Sequence, residues 1–109
     1  MDSELTKAFP SPETLVAVVA QDSETHQVLM VAWMNKQAFD LTCSSRRATY
    51  WSRSRNSLWV KGETSGNFQE VISLSFDCDR DAIVMQVKQH GVACHTGQRS
   101  CFHHEISLP

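Results

Sequence analysis

The sequence predicts an α+β domain, a small, mostly antiparallel β-sheet with one main helix. Three observations carry that reading. The 109-residue chain is 41% hydrophobic and 20% charged, an ordinary globular balance sufficient for a single core. Five runs rich in β-branched and aromatic residues recur along it, separated by polar or glycine-bearing breaks. One stretch has its apolar residues at helical rather than alternating spacing.

Taken in order, residues 1–12, with Pro10 and Pro12, read as a flexible lead-in to a single domain over 13–109. The runs TLVAVVAQD and QVLMVAWM, parted by the polar SETH, predict an antiparallel hairpin. Asn35 suits a helix N-cap, and the helix it opens runs to about Arg46 with Ala38, Leu41 and Thr42 facing inward. Cys43 on that helix is expected in the core. ATYWSRS reads as a third strand and RNSLWVKGETSGN as a long polar loop, where Gly62 and Gly66 permit unusual backbone geometry. FQEVISLSFD and AIVMQVKQ are the last two strands, so the predicted order is β-β-α-β-β-β. After Gly91, VACHTGQRSCF has little periodicity and many reactive groups.

Charge and composition narrow the function classes. A formal net charge of −2 with a pI near 6.2 gives no basic field for nucleic acid or an anionic membrane, and neither is expected as a partner. Apolar runs such as Leu15–Ala20 are far too short to span a bilayer, and that run follows acidic residues rather than a basic leader. The expected location is cytoplasmic. Four cysteines in such a chain are expected to be reduced and to serve metal or catalysis rather than disulfides.

Two clusters carry chemistry. Cys78, Cys94 and Cys101 fall as C-x15-C-x6-C, with His95 directly after the second. Three thiolates from two segments suit zinc with a fourth position open, although the spacing matches no zinc finger, and inert buried thiols explain the same pattern. Asp77, Asp79 and Asp81 alternate with Cys78 and Arg80. On an extended backbone the three carboxylates would share one face, with Cys78 on the other, and would attract a hard divalent cation such as Mg²⁺. A water-solvated acidic turn is the alternative. An EF-hand is excluded, since its sixth position holds Ala82 and its twelfth Lys88. A third region places Trp51, Arg53, Arg55 and Lys61 near the Gly62–Asn67 loop. Its cations, hydroxyls and glycine-exposed amides suit a small phosphorylated ligand better than a nucleic acid. At least one of Trp51 and Trp59 is expected to be largely buried.

The stretches WSRSRNSLWVKGETSGN, DCDRDA and ACHTGQRSCF together resemble phosphoribosyl-AMP cyclohydrolase, an enzyme family of histidine biosynthesis, over about Leu15 to Phe102. Three separated motifs in the right order make the resemblance specific. It implies the stand-alone form of the family, a small α+β homodimer with an intertwined interface. It further implies that Cys78, Cys94 and Cys101 bind Zn²⁺ at a site shared between subunits, and that Asp77, Asp79 and Asp81 bind Mg²⁺. The tail HHEISLP departs from the family pattern and is expected to touch none of these ligands.

The implied reaction adds water at C6 of the adenine ring of 1-(5-phosphoribosyl)-AMP and opens the N1–C6 bond, giving the phosphoribosyl-formimino-AICAR phosphate intermediate. Zinc would activate the water. His95 is the expected proton-transfer group, because imidazoles titrate near neutral pH and it adjoins a ligand. Trp51, Arg53, Arg55, Lys61, Gly62, Glu63, Thr64, Ser65, Gly66 and Asn67 are the expected substrate-binding residues. The zinc base deaminases attack the same carbon, but their P-C-x-x-C is absent here. The rival readings are a structural zinc module that binds protein or single-stranded nucleic acid, and a metal hydrolase of another purine nucleotide.

Overall fold

The computed structural model describes residues 2–109. Its elements are α1 (Asp2–Ala8), β1 (Val16–Asp22), β2 (Val28–Met34), α2 (Lys36–Ser45), β3 (Thr49–Ser52), β4 (Ser57–Val60), β5 (Gln69–Phe76) and β6 (Ala82–Gln89). The α+β class holds, with two additions to the predicted order. The segment expected to be a lead-in contains α1 and delivers Ala8 and Phe9 to the core, Phe9 packing 5.4 Å from the Phe39 ring. The stretch expected to be a long polar loop contains β4, which pairs antiparallel with β3 from Thr49↔Val60 to Ser52↔Ser57. Polar neighbours on both sides masked the short apolar SLWV run.

The main sheet has the order β2-β1-β6-β5 and is mixed. β1 and β2 form the expected hairpin, and β5 and β6 a second one. The hairpins join through β1 and β6, which run parallel from Ala17↔Ala82 to Asp22↔Val87. Parallel neighbours need a long crossover, and β2, α2, β3, β4 and β5 supply it. Strand alternation buries Val16, Val18 and Ala20 of β1 and Ile83, Met85 and Val87 of β6 on one face. On the opposite face Val31, Val19 and Val84 form a registered apolar row across three strands, with Val31 48% and Val84 40% exposed.

α2 begins as expected, with Asn35 Oδ1 accepting the Ala38 N–H at 2.8 Å, and it ends at Arg46 in the left-handed region. Its buried residues are Ala38, Phe39 and Thr42, not Leu41, which is 41% exposed. At about 100° per residue, Phe39 and Leu41 lie equally far on either side of Ala38 and Thr42, and it is the Phe39 side that packs, against the Phe9 and Phe76 rings. Cys43 is likewise exposed rather than in the core. A buried relay ties the two sheets together. The Tyr50 hydroxyl donates to Gln69 Oε1 at 2.6 Å, and Gln69 Nε2 donates to Gln89 Oε1 at 2.9 Å.

Candidate metal and nucleotide site

The three aspartates do meet, but not by strand alternation. Residues 77–81 form the tight turn between β5 and β6, closed by the Arg80 N–H donating to the Asp77 carbonyl at 3.1 Å with Arg80 at φ 59°. Asp77 Oδ1 accepts from the backbone N–H of Asp81 at 3.0 Å and of Ala82 at 3.3 Å. Folding the chain this way brings one ligand oxygen from each of Asp77, Asp79 and Asp81 within 4.8 Å of the others. All three are exposed, and no other group of three such ligand residues lies as close among the described residues. Desolvation would lift Asp77, but the hydrogen bonds it accepts outweigh that and hold its carboxyl below the usual range. Asp81 is pushed up by its hydrogen bond to Asp77 and by the Asp77 charge. A cation there would relieve that repulsion, and an all-oxygen donor set suits Mg²⁺.

The cysteines do not come together within one chain. Cys78 lies in the acidic turn before β6, while Cys94 and Cys101 lie beyond its other end. The eight residues of β6, at about 3.3 Å each, separate the two ends by roughly 25 Å. The loop after β6 stays at the far end. Its Cys101 N–H donates to the Leu29 carbonyl at 2.7 Å, and Arg99 pairs with Asp22, which is opposite Val87. Asp22 also accepts from the N–H groups of Thr25 and Glu24, which with Arg99 hold its carboxyl below the usual range. Further bonds fix the loop: Cys94 N–H to the Gln98 carbonyl at 3.1 Å, Ala93 N–H to the Arg99 carbonyl at 3.0 Å, and the Ser100 hydroxyl to the Val28 carbonyl at 2.7 Å.

At this loop Cys94 is buried and Cys101 exposed, and their thiols interact. The Cys94 thiol is lowered to about 6, chiefly by the Thr96 hydroxyl 2.9 Å away, with His103 and Cys101 adding to the effect. Burial pushes Cys101 up, as does its bond to Cys94. A thiol poised as thiolate beside a second thiol and an imidazole is a soft donor set of the kind zinc takes. His95 is exposed and points to no hydrogen-bond partner among the described residues. His103 was missed by sequence reasoning. The tail expected to touch no ligand places its Nε2 3.7 Å from Cys94 Sγ and 3.4 Å from Thr96 Oγ1. A cysteine followed two residues later by a histidine was the available signal.

The residues expected to bind substrate divide between two adjacent clefts that share Arg55 and Trp59. Arg55, Lys61, Gly62, Glu63, Thr64 and Ser65 line one of about 360 Å³. Trp51, Arg53, Ser54 and Arg55 line the other, of about 620 Å³, with Trp33, over whose ring the Arg53 guanidinium sits at 4.5 Å. Gly66 and Asn67 line neither. Gly66 N–H closes the turn on the Gly62 carbonyl at 2.9 Å, and Asn67 packs so closely on Gly91 that a Cβ there would lie 2.0 Å from Asn67 Oδ1. Gly62, at φ 77°, has room for no Cβ, which would fall 2.3 Å from the Phe68 nitrogen. Trp59 is partly buried against the core, 5.3 Å from the Tyr50 ring, and Trp51 is half-buried. Lys61 joins the clefts to the cysteine loop, with Nζ donating to the Ala93 carbonyl at 2.7 Å. Burial lowers its pKa, and the nearby thiols of Cys101 and Cys94 act the other way.

Residues 30–103 match the family model described as Phosphoribosyl-AMP cyclohydrolase. The chain is similar to a phosphoribosyl-AMP cyclohydrolase of Hyphomonas neptunium, 59% identical over 92 residues that make up 84% of this chain and 70% of the relative. The relative of the same name from Roseobacter denitrificans is 56% identical over 89 residues, 82% of this chain and 70% of its own. That from Ruegeria sp. is 49% identical over 114 aligned residues, 91% of this chain and 88% of its own. The matched span takes in the acidic turn, both clefts and the cysteine loop, and the chain belongs to the phosphoribosyl-AMP cyclohydrolase family.

Proposed function

We propose that this protein opens the adenine ring of 1-(5-phosphoribosyl)-AMP by hydrolysis of the N1–C6 bond, and that each active site is assembled from two chains. Family membership supports the reaction. The observation that carries the assembly is the placement of Cys78 at one end of β6 and of Cys94 and Cys101 at the other. A three-thiolate site therefore draws Cys78 from the partner subunit. A two-fold axis across the sheet would bring opposite ends together, with the apolar row of Val19, Val31 and Val84 covered by its own copy. The same pairing would bring the Mg²⁺-binding carboxylates of one chain to the cysteine loop and clefts of the other.

In that arrangement Cys94 and Cys101, with Cys78 of the partner subunit, would hold zinc, which lowers the pKa of a water and so supplies the nucleophile. Asp77, Asp79 and Asp81 would hold Mg²⁺ against substrate oxygens. Arg53, Arg55 and Lys61 grip the phosphates, and the Gly62–Ser65 turn presents amides and hydroxyls to them. Trp51, beside Trp33, gives the purine an aromatic wall. His95 accepts the proton from the attacking water and returns it to N1 as the N1–C6 bond breaks. The water oxygen stays on C6, which keeps its exocyclic nitrogen and becomes the carboxamide carbon.

Ultraviolet monitoring of phosphoribosyl-AMP with the zinc- and magnesium-loaded protein tests the reaction. Opening the purine changes its conjugation, so a steady spectral shift that stops when a chelator is added is expected. A folded, metal-loaded protein that leaves the spectrum unchanged overturns the assignment.

A further inference from the structure

We infer that His103 supplies the fourth zinc donor through Nε2, an inference that rests on the three-thiolate site proposed above. Its distance to Cys94 Sγ is 3.7 Å. Zinc bonds of about 2.3 Å to sulfur and 2.0 Å to nitrogen, at a tetrahedral angle, set a ligand sulfur and nitrogen about 3.5 Å apart. The pair therefore already stands at the separation of two ligands to one ion.

The placement follows from the backbone. Cys101 N–H is fixed on Leu29, and the Phe102 N–H donates to the Ser100 hydroxyl at 3.0 Å, so the chain enters His103 from a pinned loop. Thr96 Oγ1 is within 2.9 Å of Cys94 Sγ and 3.4 Å of His103 Nε2, holding thiol and imidazole on one side of the loop. His104 packs against the His103 ring with centroids 4.4 Å apart and restricts its rotation. His95, the other imidazole near the cysteines in sequence, makes none of these contacts among the described residues. A neutral imidazole is also the protein donor that adds no further negative charge to three thiolates. Since hydrolysis needs the fourth position for water, the His103 bond defines a closed resting form. His103 lies on the exposed segment after the last strand, where it is free to leave.

X-ray absorption at the zinc edge of the full-length, zinc-loaded protein tests this without reference to turnover. Three sulfur scatterers and one imidazole are expected in the wild type. The imidazole signal should vanish in His103→Ala, persist in His95→Ala, and zinc should be lost to a competing chelator at least ~10-fold more readily, the smaller end of what even outer-shell partners contribute. A sulfur shell with no imidazole in the wild type, or an imidazole that survives His103→Ala, overturns the inference and leaves the thiolate site standing. Absence of sulfur scatterers overturns both readings. Because His103 is exposed, the thermal melt of the zinc-free His103→Ala protein should match wild type, separating ligand loss from misfolding.

Discussion

The acidic turn and the cysteine loop sit at opposite ends of β6 and are completed in different ways. In the turn, three consecutive alternate residues fold back on themselves, so one short segment gathers its own hard-oxygen donors. The loop carries two cysteines and sets an imidazole beside one of them, Cys94, but the third cysteine lies at the far end of the strand. The turn depends on local hydrogen bonds to Asp77, whereas the loop is anchored by long-range bonds to β1 and β2. A local cluster can be read and built from a single chain, while a distributed one needs the whole sheet and, on the present account, a second copy.

The two clusters should therefore separate under mutation. The largest effect is expected from Cys94→Ser. Activity and bound zinc should both fall below detection, while Mg²⁺ binding measured by titration calorimetry survives. Asp79→Asn should do the reverse, cutting kcat/KM by about 100-fold or more through loss of charge stabilisation while zinc content stays at wild-type level. Zinc loss in Asp79→Asn would break the division between the clusters.

A smaller effect sharpens how the loop is held. Asp22→Ala leaves the Thr25 and Glu24 N–H groups and the Arg99 guanidinium without their acceptor, which should cost about 1–3 kcal/mol in urea unfolding. The sign of its pH dependence follows from a folded pKa below the ordinary 3.8. The contribution of this carboxylate is complete above pH 3.8 and fades as pH falls through the lower folded value, so the gap between wild type and Asp22→Asn should narrow only in that acid range. The smallest effect belongs to the turn. Glu4→Gln removes the exposed 2.8 Å pair with Arg80 and should change stability by less than about 1 kcal/mol, with metal binding intact.

What the sequence made legible follows the same division. The β1–β2 hairpin, the Asn35 cap and the existence of β5 and β6 as strands were readable because their signals are local in sequence. The parallel pairing of β1 with β6 was not, since no pattern in either strand tells which neighbour it will choose across an intervening helix and four strands. Leu41 and Phe39 exchanged roles because helical spacing alone leaves the centre of the stripe undetermined until α2 docks. Asp77, Asp79 and Asp81 were grouped correctly for the wrong reason, a turn doing what alternation was expected to do. His103 escaped because its relation to Cys94 is made by the closed loop, not by adjacency in the chain.

The most direct test of the shared site mixes two inactive proteins. Cys78→Ser and Cys94→Ser variants, each inactive alone, are unfolded together, refolded with zinc and Mg²⁺, and assayed for ring opening. Sites built from Cys78 of one chain and Cys94 of the other leave one intact site in each mixed dimer, and random pairing predicts about a quarter of wild-type activity. Sites built within single chains leave every site in the mixture broken. No recovery in a mixture shown to contain mixed dimers would contradict the account.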